Sequence, residues 1–371
     1  MIHSLEEIIT ILETEIHPGL QESWDNTGWQ VCPIGPSAPC TGVMVCVDVT
    51  DDVITEAIET KCTLIISHHP LIFRPLKRLT GVTPAERMAI RLIQNGISVY
   101  SAHTSLDNAA AGVSHYLAEA LGLNDIEPLA PRKDVLYKIA VYVPETHAEA
   151  VAEAMFAAGA GHIGNYDLCG FTIKGEGSFR ALEGSEPFIG RHGEMSRVSE
   201  VKIEAIMPSH LKRSVEKAVR RAHPYEEPAI DVYRIEGEDV STGLGAIGNL
   251  AEPISETQLI DRVKKVYGSP VVRTTPSDTP RTRTIRRVAL CGGSGGEFIA
   301  RAISDGADAY ITSDIRYHDF VDYRHNILLV DTGHYESEKC TTLLLSRIIS
   351  KKIPNFAVRI SATETNSITY K

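Results

Sequence analysis

The chain has 371 residues, of which 43% are hydrophobic and 23% are charged, and its formal net charge at pH 7 is −11. This composition can build a hydrophobic core, so extensive disorder is excluded, and the length corresponds to two or three domains. Nucleic-acid binding is not expected, because proteins that neutralise phosphates are normally basic. The sequence has no apolar run near the ~20 residues of a membrane span, and the acidic residues 1–7 do not resemble a signal peptide.

The cysteines are scattered along the chain. There are seven of them, and no Cys-x-x-Cys pair occurs. An odd number without such pairs argues against a disulfide framework and against a thiolate zinc site. We therefore expect free thiols and a cytoplasmic location.

The N-terminal third alternates between helix patterns and strand patterns. Apolar residues at helical spacing and short uninterrupted apolar runs distinguish the two. In chain order, the prediction is a helix at 5–15, a strand at 42–49, a helix at 51–61, a strand at 62–67, a helix at 86–95, a strand at 97–102 and a helix at 113–121. This β-α-β-α-β alternation with short connections predicts a parallel sheet covered by helices.

The pattern changes from about residue 130 to residue 237. The prediction there is a strand at 136–143, a helix at 147–159, glycine-rich hairpins at 159–193, a strand at 198–207, a basic helix at 209–222 and a strand at 230–235. The order β-α-β-β-α-β is typical of a ferredoxin-like domain. We interpret 130–237 as an inserted α+β domain. The basic helix is expected to expose a solvated face, with RNA or partner binding as the alternative.

The C-terminal part of the chain repeats the N-terminal pattern. Strands are predicted at 288–291, 309–312 and 327–331, with a helix at 297–305 and an exposed loop at 276–283. The run Val43-Met-Val-Cys46 is similar to Val288-Ala-Leu-Cys291, and polar residues at the matching strand ends also correspond. This correspondence favours internal duplication over chance similarity. The segment 241–249 returns the chain from the insert, so the first domain is predicted to be discontinuous, 1–128 plus 240–371.

Polar side chains follow three of the predicted strands at the point where each strand ends. They are His68 and His69 after the first of these strands, His103 and Asp107 after the second, and His334 and Glu338 after the third. Ligand sites in parallel sheets form at the carboxyl ends of strands, so we expect these side chains at one rim. His103 precedes Asp107 by four residues, and His334 precedes Glu338 by four. In a helical turn, that spacing puts each pair on one face.

Imidazole and carboxylate ligands without thiolate suit Zn²⁺, Mn²⁺, Fe²⁺ or Co²⁺ and do not suit Ca²⁺. Two such ions ~3.5–4 Å apart form the usual centre for metal-assisted hydrolysis, with a water between them as the nucleophile. Asp107 is the candidate to bridge two ions. Three roles stay open for His103: metal ligand, support of another ligand, or proton shuttle. Asp48 and Asp314 also follow strands and are candidates to support the ligands.

A glycine-rich loop lies between a predicted strand and a predicted helix. The backbone N–H groups of Gly293, Ser294 and Gly295 could hold a phosphate or a carboxylate. An equally weighted alternative is a tight turn that lets the helix pack closely. The turn Trp24-Asp-Asn-Thr-Gly28 has a similar ambiguity, because its polar side chains could reach the rim or only pack on the core.

Four motifs together resemble the Nif-three-like (Ngg-interacting factor three-like) family, also labelled GTP cyclohydrolase type 2. They are Trp24-Asp-Asn-x-Gly28, Ser67-His68-His69-Pro70, Ala102-His103-Thr-x-Leu-Asp107-Asn and Asp331-x-Gly-His334-x-x-x-Glu338. The resemblance implies an α/β fold with two similar halves and a toroidal homohexamer whose sites face its interior. It also implies two divalent ions per subunit, held by His68, His69, Asp107, His334 and Glu338.

The insert carries a second likeness. The segment His223-Pro-Tyr-Glu-Glu-Pro228 resembles the ferredoxin-like domains of the copper-tolerance protein CutA and of the nitrogen-regulatory PII proteins. Longer bacterial members of the Nif-three-like family carry such a middle domain. Because these domains usually trimerise, the resemblance implies caps over the openings of the hexamer.

Two functions of different classes are compatible with these patterns. The first is a metal-dependent hydrolase acting on a small molecule. The family label implies GTP as its substrate, with ring opening and release of formate, and His103 could then move protons. The alternative is a non-catalytic metal-binding or regulatory scaffold. Metal-free protein that keeps its assembly but loses turnover would distinguish the hydrolase from the scaffold.

Overall fold

The computed structural model describes residues 3–276 and 284–371. Two units are distinguished: one combines Met1–Ala130 with Ser241–Lys371, and the other is Pro131–Val240. Of the loop expected at 276–283, Pro276 is described and is exposed, and the remainder lies outside the described residues.

Strands and helices alternate along most of the described chain. The strands are β1 (Gly28–Val31), β2 (Val43–Cys46), β3 (Leu64–Ser67), β4 (Ser98–Ser101), β5 (Leu123–Glu127), β6 (Ala130–Lys133), β7 (Leu136–Pro144), β8 (Gly170–Arg180), β9 (Met195–Pro208), β10 (Ile230–Ile235), β11 (Glu238–Leu244), β12 (Ala246–Ser255), β13 (Arg273–Thr274), β14 (Thr284–Ser294), β15 (Ala309–Ser313), β16 (Leu328–Asp331) and β17 (Val358–Ile360). The α-helices are α1 (Leu5–Glu13), α2 (Asp51–Glu59), α3 (Pro84–Gln94), α4 (Thr104–Asp107), α5 (Val113–Ala120), α6 (Ala148–Ala157), α7 (Lys212–Ala222), α8 (Glu256–Tyr267), α9 (Ile299–Ser304), α10 (Tyr317–Tyr323), α11 (His334–Glu338) and α12 (Cys340–Lys352).

Several helices begin where a side chain can accept the backbone N–H groups that a helix start leaves unpaired. At α1, Ser4 accepts from the N–H of Glu7, whose side chain accepts in return from the N–H of Ser4. Ser255 and Gln258 form the same reciprocal pair at α8. Local sequence therefore determines where these helices begin.

The first sheet of the larger unit has its described strands in the order β1-β4-β3-β2-β17. The strands β17, β2, β3 and β4 are parallel, and β1 runs antiparallel to β4. The helices α2 and α3 lie in the connections between the three central parallel strands. Because β2 and β3 are buried along their whole length, their sequences are almost uninterrupted apolar runs.

The second sheet of the same unit repeats this plan. Its described strands follow the order β13-β16-β15-β14-β12-β5. The strands β14, β15 and β16 are parallel with α9 and α10 in the connections, and β13 is antiparallel to β16, as β1 is to β4. The predicted fold class of two similar α/β halves is therefore confirmed.

The two sheets share one core. Alternate residues of a strand face opposite sides of its sheet. Val45 and Ile66 of the first sheet pack in the same buried cluster as Leu290 and Ile311 of the second, together with residues of α1, α5, α8 and α12. The intervening residues, such as Ile65, face separate clusters that contain α2 and α3. Since one core holds both sheets, the ends of their parallel strands keep a fixed relation.

The unit Pro131–Val240 has an antiparallel sheet with its described strands in the order β10-β7-β9-β8. The helix α6 connects β7 to β8, and α7 connects β9 to β10. This is the ferredoxin-like arrangement, so the predicted fold of the insert is also confirmed. The segment 159–193 supplies one long strand, β8, which forms an antiparallel hairpin with β9 and pairs with it along its whole length, in agreement with the hairpin prediction.

The described helices include none that is both long enough and apolar enough to cross a membrane. Seven cysteines, all within the described residues, are free, and five of them are buried. A buried thiol behaves as a small apolar side chain, which is how Cys46 and Cys291 contribute to the packing around their strands.

Candidate metal centre

Three strand ends of the larger unit converge on one set of imidazole and carboxylate groups. His68 and His69 follow β3 directly, whereas His103 follows β4. The donor atoms of these three histidines lie within 4.8 Å of one another. The donor atoms of His69, His334 and Glu338 form a second such group. His334 and Glu338 belong to the helix α11, which follows β16 of the second sheet. The two groups overlap at His69.

Glu338 lies at the centre of the convergence and is almost completely buried. Its Oε2 is 2.9 Å from Nε2 of His69 and 3.0 Å from Nε2 of His334. Its Oε1 is 3.6 Å from Nε2 of His68. One carboxylate of the second half thus faces two histidines of the first half and one of its own.

His68 and Asp107 leave two buried polar atoms without a hydrogen bond. The Nδ1–H group of His68 donates to the carbonyl oxygen of Ala102 at 3.1 Å, so Nε2 carries the lone pair. That Nε2 lies 3.8 Å from Oδ1 of Asp107, and neither atom has a hydrogen-bond partner. Buried polar atoms are normally hydrogen-bonded. A buried imidazole nitrogen and a buried carboxylate oxygen that both lack hydrogen bonds are suited to bind a cation. The residues present therefore fit a divalent metal ion.

Two aspartates hold the outer nitrogens of the remaining histidines. Nδ1 of His69 is 2.9 Å from Oδ1 of Asp48, and Nδ1 of His334 is 2.6 Å from Oδ2 of Asp314. A carboxylate that accepts from Nδ1 fixes the orientation of the ring and leaves Nε2 as the donor toward a metal. Asp48 follows β2 and Asp314 follows β15, so both supports also come from strand ends.

The electrostatics of this cluster follow from burial and close pairing. Burial raises the pKa of Asp107 to about 7, and the charge of Glu338 adds to this while His68 opposes it. Burial alone would lower the pKa of His69, but its contacts with Asp48 and Glu338 raise it to about 10. The contact with Glu338 raises the pKa of His334 to about 9 despite burial. Burial works against ionisation of Glu338, but its pKa is held well below its usual range by His68 and His334.

His103 stands at the edge of the cluster and is held from the other side. Its Nδ1 donates to Oδ1 of Asp25 at 2.7 Å, and Oδ2 of Asp25 accepts from the backbone N–H of Thr104 at 3.0 Å. These hydrogen bonds lower the pKa of Asp25 in spite of its burial. Asp25 belongs to the turn at 24–28, so its polar side chain does reach the rim.

The glycine loop packs tightly against the cluster. The N–H of Gly293 donates to Oγ of Ser337 at 2.9 Å, and that of Gly295 donates to Oγ1 of Thr312 at 2.9 Å. These N–H groups are occupied within the protein, and the helix α9 beyond the loop has only 6 residues. For Gly293 and Gly295, the arrangement therefore favours close packing, and anion binding by the loop, including Ser294, stays a prediction.

A cavity of about 340 Å³ opens beside the cluster. His69, His103, Asp107, His334 and Glu338 line it, and Glu297 contributes another carboxylate. Trp24 and Phe73 line it as well, with 58% and 46% of each residue exposed and their ring centroids 6.2 Å apart. Two exposed aromatic side chains that line a cavity are suited to hold a flat ring.

Sequence reasoning missed two residues that shape the site. Phe73 lies in a loop, and no periodic pattern indicates that it faces the cavity. Glu364 accepts hydrogen bonds from the backbone N–H groups of Val47 and Asp48, at 2.8 Å and 2.6 Å, and so fastens the strand end that carries Asp48. Glu364 lies more than three hundred positions from these partners. No local signal links residues so far apart.

Comparisons with known proteins agree with this architecture. The sequence profile of the family Duf34/NIF3 (NGG1p interacting factor 3) matches residues 3–367. A Halalkalibacterium halodurans protein named GTP cyclohydrolase 1 type 2 homolog is 43% identical over 302 residues, which cover 80% of this chain and 79% of that protein. A Bacillus subtilis protein of the same name is 38% identical over 376 residues, covering 98% of each.

A solved structure shows the same relationship. The crystal structure of a Bacillus cereus protein related to NIF3 is 37% identical and has a TM-score of 0.86, covering 100% of both chains. The family resemblance seen in the sequence motifs is therefore confirmed. This chain belongs to the Duf34/NIF3 family.

Proposed function

We propose that this protein is a metal-dependent hydrolase that holds two divalent ions per subunit between the two halves of its larger unit. The ligands would be His68, His69, Asp107, His334 and Glu338. The observation that carries the proposal is the pair of buried, unpaired atoms, Nε2 of His68 and Oδ1 of Asp107, which face the buried Glu338 carboxylate.

The number of ions is supported by the two oxygens of Glu338, which face different imidazoles. Oε1 faces His68, and Oε2 faces His69 and His334, so the donors form two neighbouring groups. With imidazole and carboxylate donors and no thiolate, the site suits Zn²⁺, Mn²⁺, Fe²⁺ or Co²⁺. Bound there, such ions would lower the pKa of a coordinated water and make it a nucleophile at neutral pH.

The substrate that we propose is GTP. The relatives' name, GTP cyclohydrolase 1 type 2 homolog, supports this class of substrate. So do Trp24 and Phe73, whose exposed rings can hold a flat heteroaromatic base at the cavity. In the reaction, one water opens the five-membered ring of guanine at C8, and a second water releases C8 as formate.

His103 is placed to move protons in this reaction. Because Asp25 accepts from Nδ1 of His103, Nε2 is left to accept a proton from a water and to donate it to the leaving nitrogen. The Asp25 carboxylate stabilises the ring when it carries both protons. His103 also lines the cavity, so it can reach a bound substrate.

The experiment that tests this proposal measures metal content and formate release from GTP on the same samples. Wild-type protein loaded with Zn²⁺ or Mn²⁺ is compared with chelator-treated protein and with Asp107→Asn. Asp52→Asn, at an exposed position on α2, is the matched carboxylate control. We expect formate only from loaded wild type and the control. Full metal occupancy without formate would reject GTP as substrate and favour a metal-binding scaffold.

We also propose that the protein is a cytoplasmic homohexamer. The free cysteines suit a reducing compartment, and the ring-shaped assembly is implied by the family resemblance. Sedimentation should measure a mass of six 40.6 kDa subunits. A monomer or dimer at working concentration would contradict it.

A further inference from the structure

The unit Pro131–Val240 contains a cavity of its own, of about 270 Å³. Its walls combine aromatic rings and carboxylates, and we call it the aromatic-acidic cavity. The side chains that define it are Phe179, Phe188, Tyr225, Glu200, Glu226 and Glu227. These positions come from β8, β9 and the loops that follow β8 and α7, so the whole cavity belongs to one domain.

The segment His223-Pro-Tyr-Glu-Glu-Pro228 builds one wall of this cavity. Nδ1 of His223 accepts from the backbone N–H of Tyr225 at 3.0 Å, and its Nε2–H donates to the carbonyl oxygen of Tyr142 at 2.9 Å. Both ring nitrogens are therefore engaged in a neutral ring, and burial lowers the pKa of His223 in agreement with this. The buried histidine holds the loop so that Tyr225 and Glu226 face the cavity.

Three aromatic rings that line the cavity pack against one another at inclined angles. The centroid of Tyr225 is 5.6 Å from that of Phe179 and 6.3 Å from that of Phe188, and the ring planes are inclined by 65° and 52°. Faces of aromatic rings carry partial negative charge and attract cations. Tyr142, which also lines the cavity, already has the ammonium group of Lys202 at 5.8 Å from its centroid.

The charged side chains that line the cavity are all negative. Four glutamates and no lysine or arginine are among the residues that line the cavity. Glu200 accepts from the hydroxyl of Tyr225 at 2.9 Å, and Glu226 accepts from the backbone N–H of Glu186 at 2.8 Å. Glu227 also lines the cavity, and its carboxylate lies 3.9 Å from the guanidinium group of Arg220, which does not line the cavity. The two hydrogen-bonded carboxylates are thus held in place beside the rings.

From this arrangement we propose that the aromatic-acidic cavity binds a small organic cation whose charge is spread over an alkylated ammonium head. The rings match the apolar surface of such a head, and the glutamates match its charge. An inorganic divalent ion fits less well, because it requires several oxygen ligands and the cavity offers mostly ring faces. Anions are excluded by the four carboxylates. This binding is independent of the metal centre.

The test compares two probes of the same shape. Choline is the cation, and 3,3-dimethylbutan-1-ol is its neutral counterpart with a carbon in place of the nitrogen. Isothermal titration calorimetry on the full-length protein should show choline binding at least about tenfold more tightly than the alcohol, as expected for cation–π and carboxylate contacts in a partly enclosed site. Equal binding of both probes, or no binding of either, would overturn the proposal.

Variants connect binding to the cavity. Phe188→Ala removes an exposed ring and Glu226→Gln removes a charge, and each should weaken choline binding severalfold. The matched controls are Phe171→Ala, an exposed phenylalanine of β8 outside the cavity, and Glu183→Gln, an exposed carboxylate outside it. Sedimentation of the same samples measures the mass of the assembly, which tests whether a second copy of the chain, rather than the cation, occupies the cavity. A change of mass in Phe188→Ala with choline binding retained would overturn the proposal.

Discussion

Gly293 and Glu338 are packed so closely that no side chain fits between them. A Cβ atom at position 293 would lie 2.1 Å from Oε1 of Glu338, and the backbone at Gly293 has a φ of +66°. The glycine therefore allows the carboxylate to reach the three histidines that it contacts. The loop that carries Gly293 therefore contributes to the metal centre because the missing side chain leaves space for the Glu338 carboxylate.

Replacing Gly293 with Ala should lower metal occupancy, because the new methyl group displaces the Glu338 carboxylate. Metal content after dialysis against a limiting chelator is the measurement. Gly306→Ala is the matched control, since Gly306 has a φ of +77° with no atom within 4 Å of an added Cβ. In both variants the left-handed backbone costs about 1–2 kcal/mol in the free energy of unfolding. Equal metal loss in both would refute the steric explanation.

Asp48→Asn and Asp314→Asn should each weaken metal binding by about 10–100-fold, because the amide no longer fixes and polarises the histidine behind it. Asn tolerates the positive φ of Asp314, 55°, so the backbone is preserved there. Competition with a chromogenic chelator measures the affinity. The exposed Asp52→Asn variant supplies the reference value. Unchanged affinity in either site variant would mean that the corresponding aspartate does not support a metal ligand.

The interaction of His103 with Asp25 predicts a defect in turnover with the metal retained. His103→Ala should reduce kcat for formate release by about 10²–10⁴-fold, the usual contribution of a general acid or base. Asp25→Asn should reduce kcat less and alter its pH profile, since the imidazole remains but loses its orienting carboxylate. Metal analysis accompanies both assays. A loss of metal in His103→Ala would identify His103 as a ligand and contradict the proton-transfer role.

Trp24 and Phe73 are expected to determine substrate affinity. Trp24→Ala and Phe73→Ala should each raise KM for GTP about 5–150-fold, since stacking of one base on an aromatic side chain contributes about 1–3 kcal/mol. Metal content should be unchanged. Tyr317→Ala, an exposed aromatic position outside the cavity, is the control. A fall in kcat at constant KM would argue against base stacking.

Metal binding should also stabilise the larger unit, because the ligands come from both of its sheets. A ligand that binds only the folded state adds about 2.7 kcal/mol to the free energy of unfolding when its free concentration is a hundred times Kd. Thermal unfolding with and without added Mn²⁺ or Zn²⁺ measures this as a rise in Tm. Asp107→Asn should reduce the rise and Asp52→Asn should not. An equal rise in both variants would place the stabilising ion elsewhere.

Much of this protein can be predicted from local sequence. Uninterrupted apolar runs such as Val43–Cys46 indicate strands buried on both faces, and capping residues such as Ser4 indicate helix starts. The same reasoning places His68, His69 and His334 just after strands, since chain order alone determines which residues come next. The fold class and the family resemblance were predicted from these patterns and are confirmed.

The glycine-rich segment 159–193 shows where local reasoning stops. Its many glycines indicate a hairpin but not how far its strands extend, and 170–180 forms one strand that pairs with β9 over its whole length. Glycine weakens a strand only slightly relative to what continuous pairing with a neighbour supplies. The partner strand therefore decided the structure of this segment.

The sequence by itself determined which residues come after the strands and hence which side chains were available for a metal centre. Only the tertiary structure decided that Glu338 of the second half faces His68 and His69 of the first, that Glu364 fastens the strand end at Asp48, and that Gly293 leaves room for a carboxylate. The reason is physical: periodicity reports contacts within a few residues. The packing of two sheets on one shared core brings together residues hundreds of positions apart, and this packing depends on the whole chain.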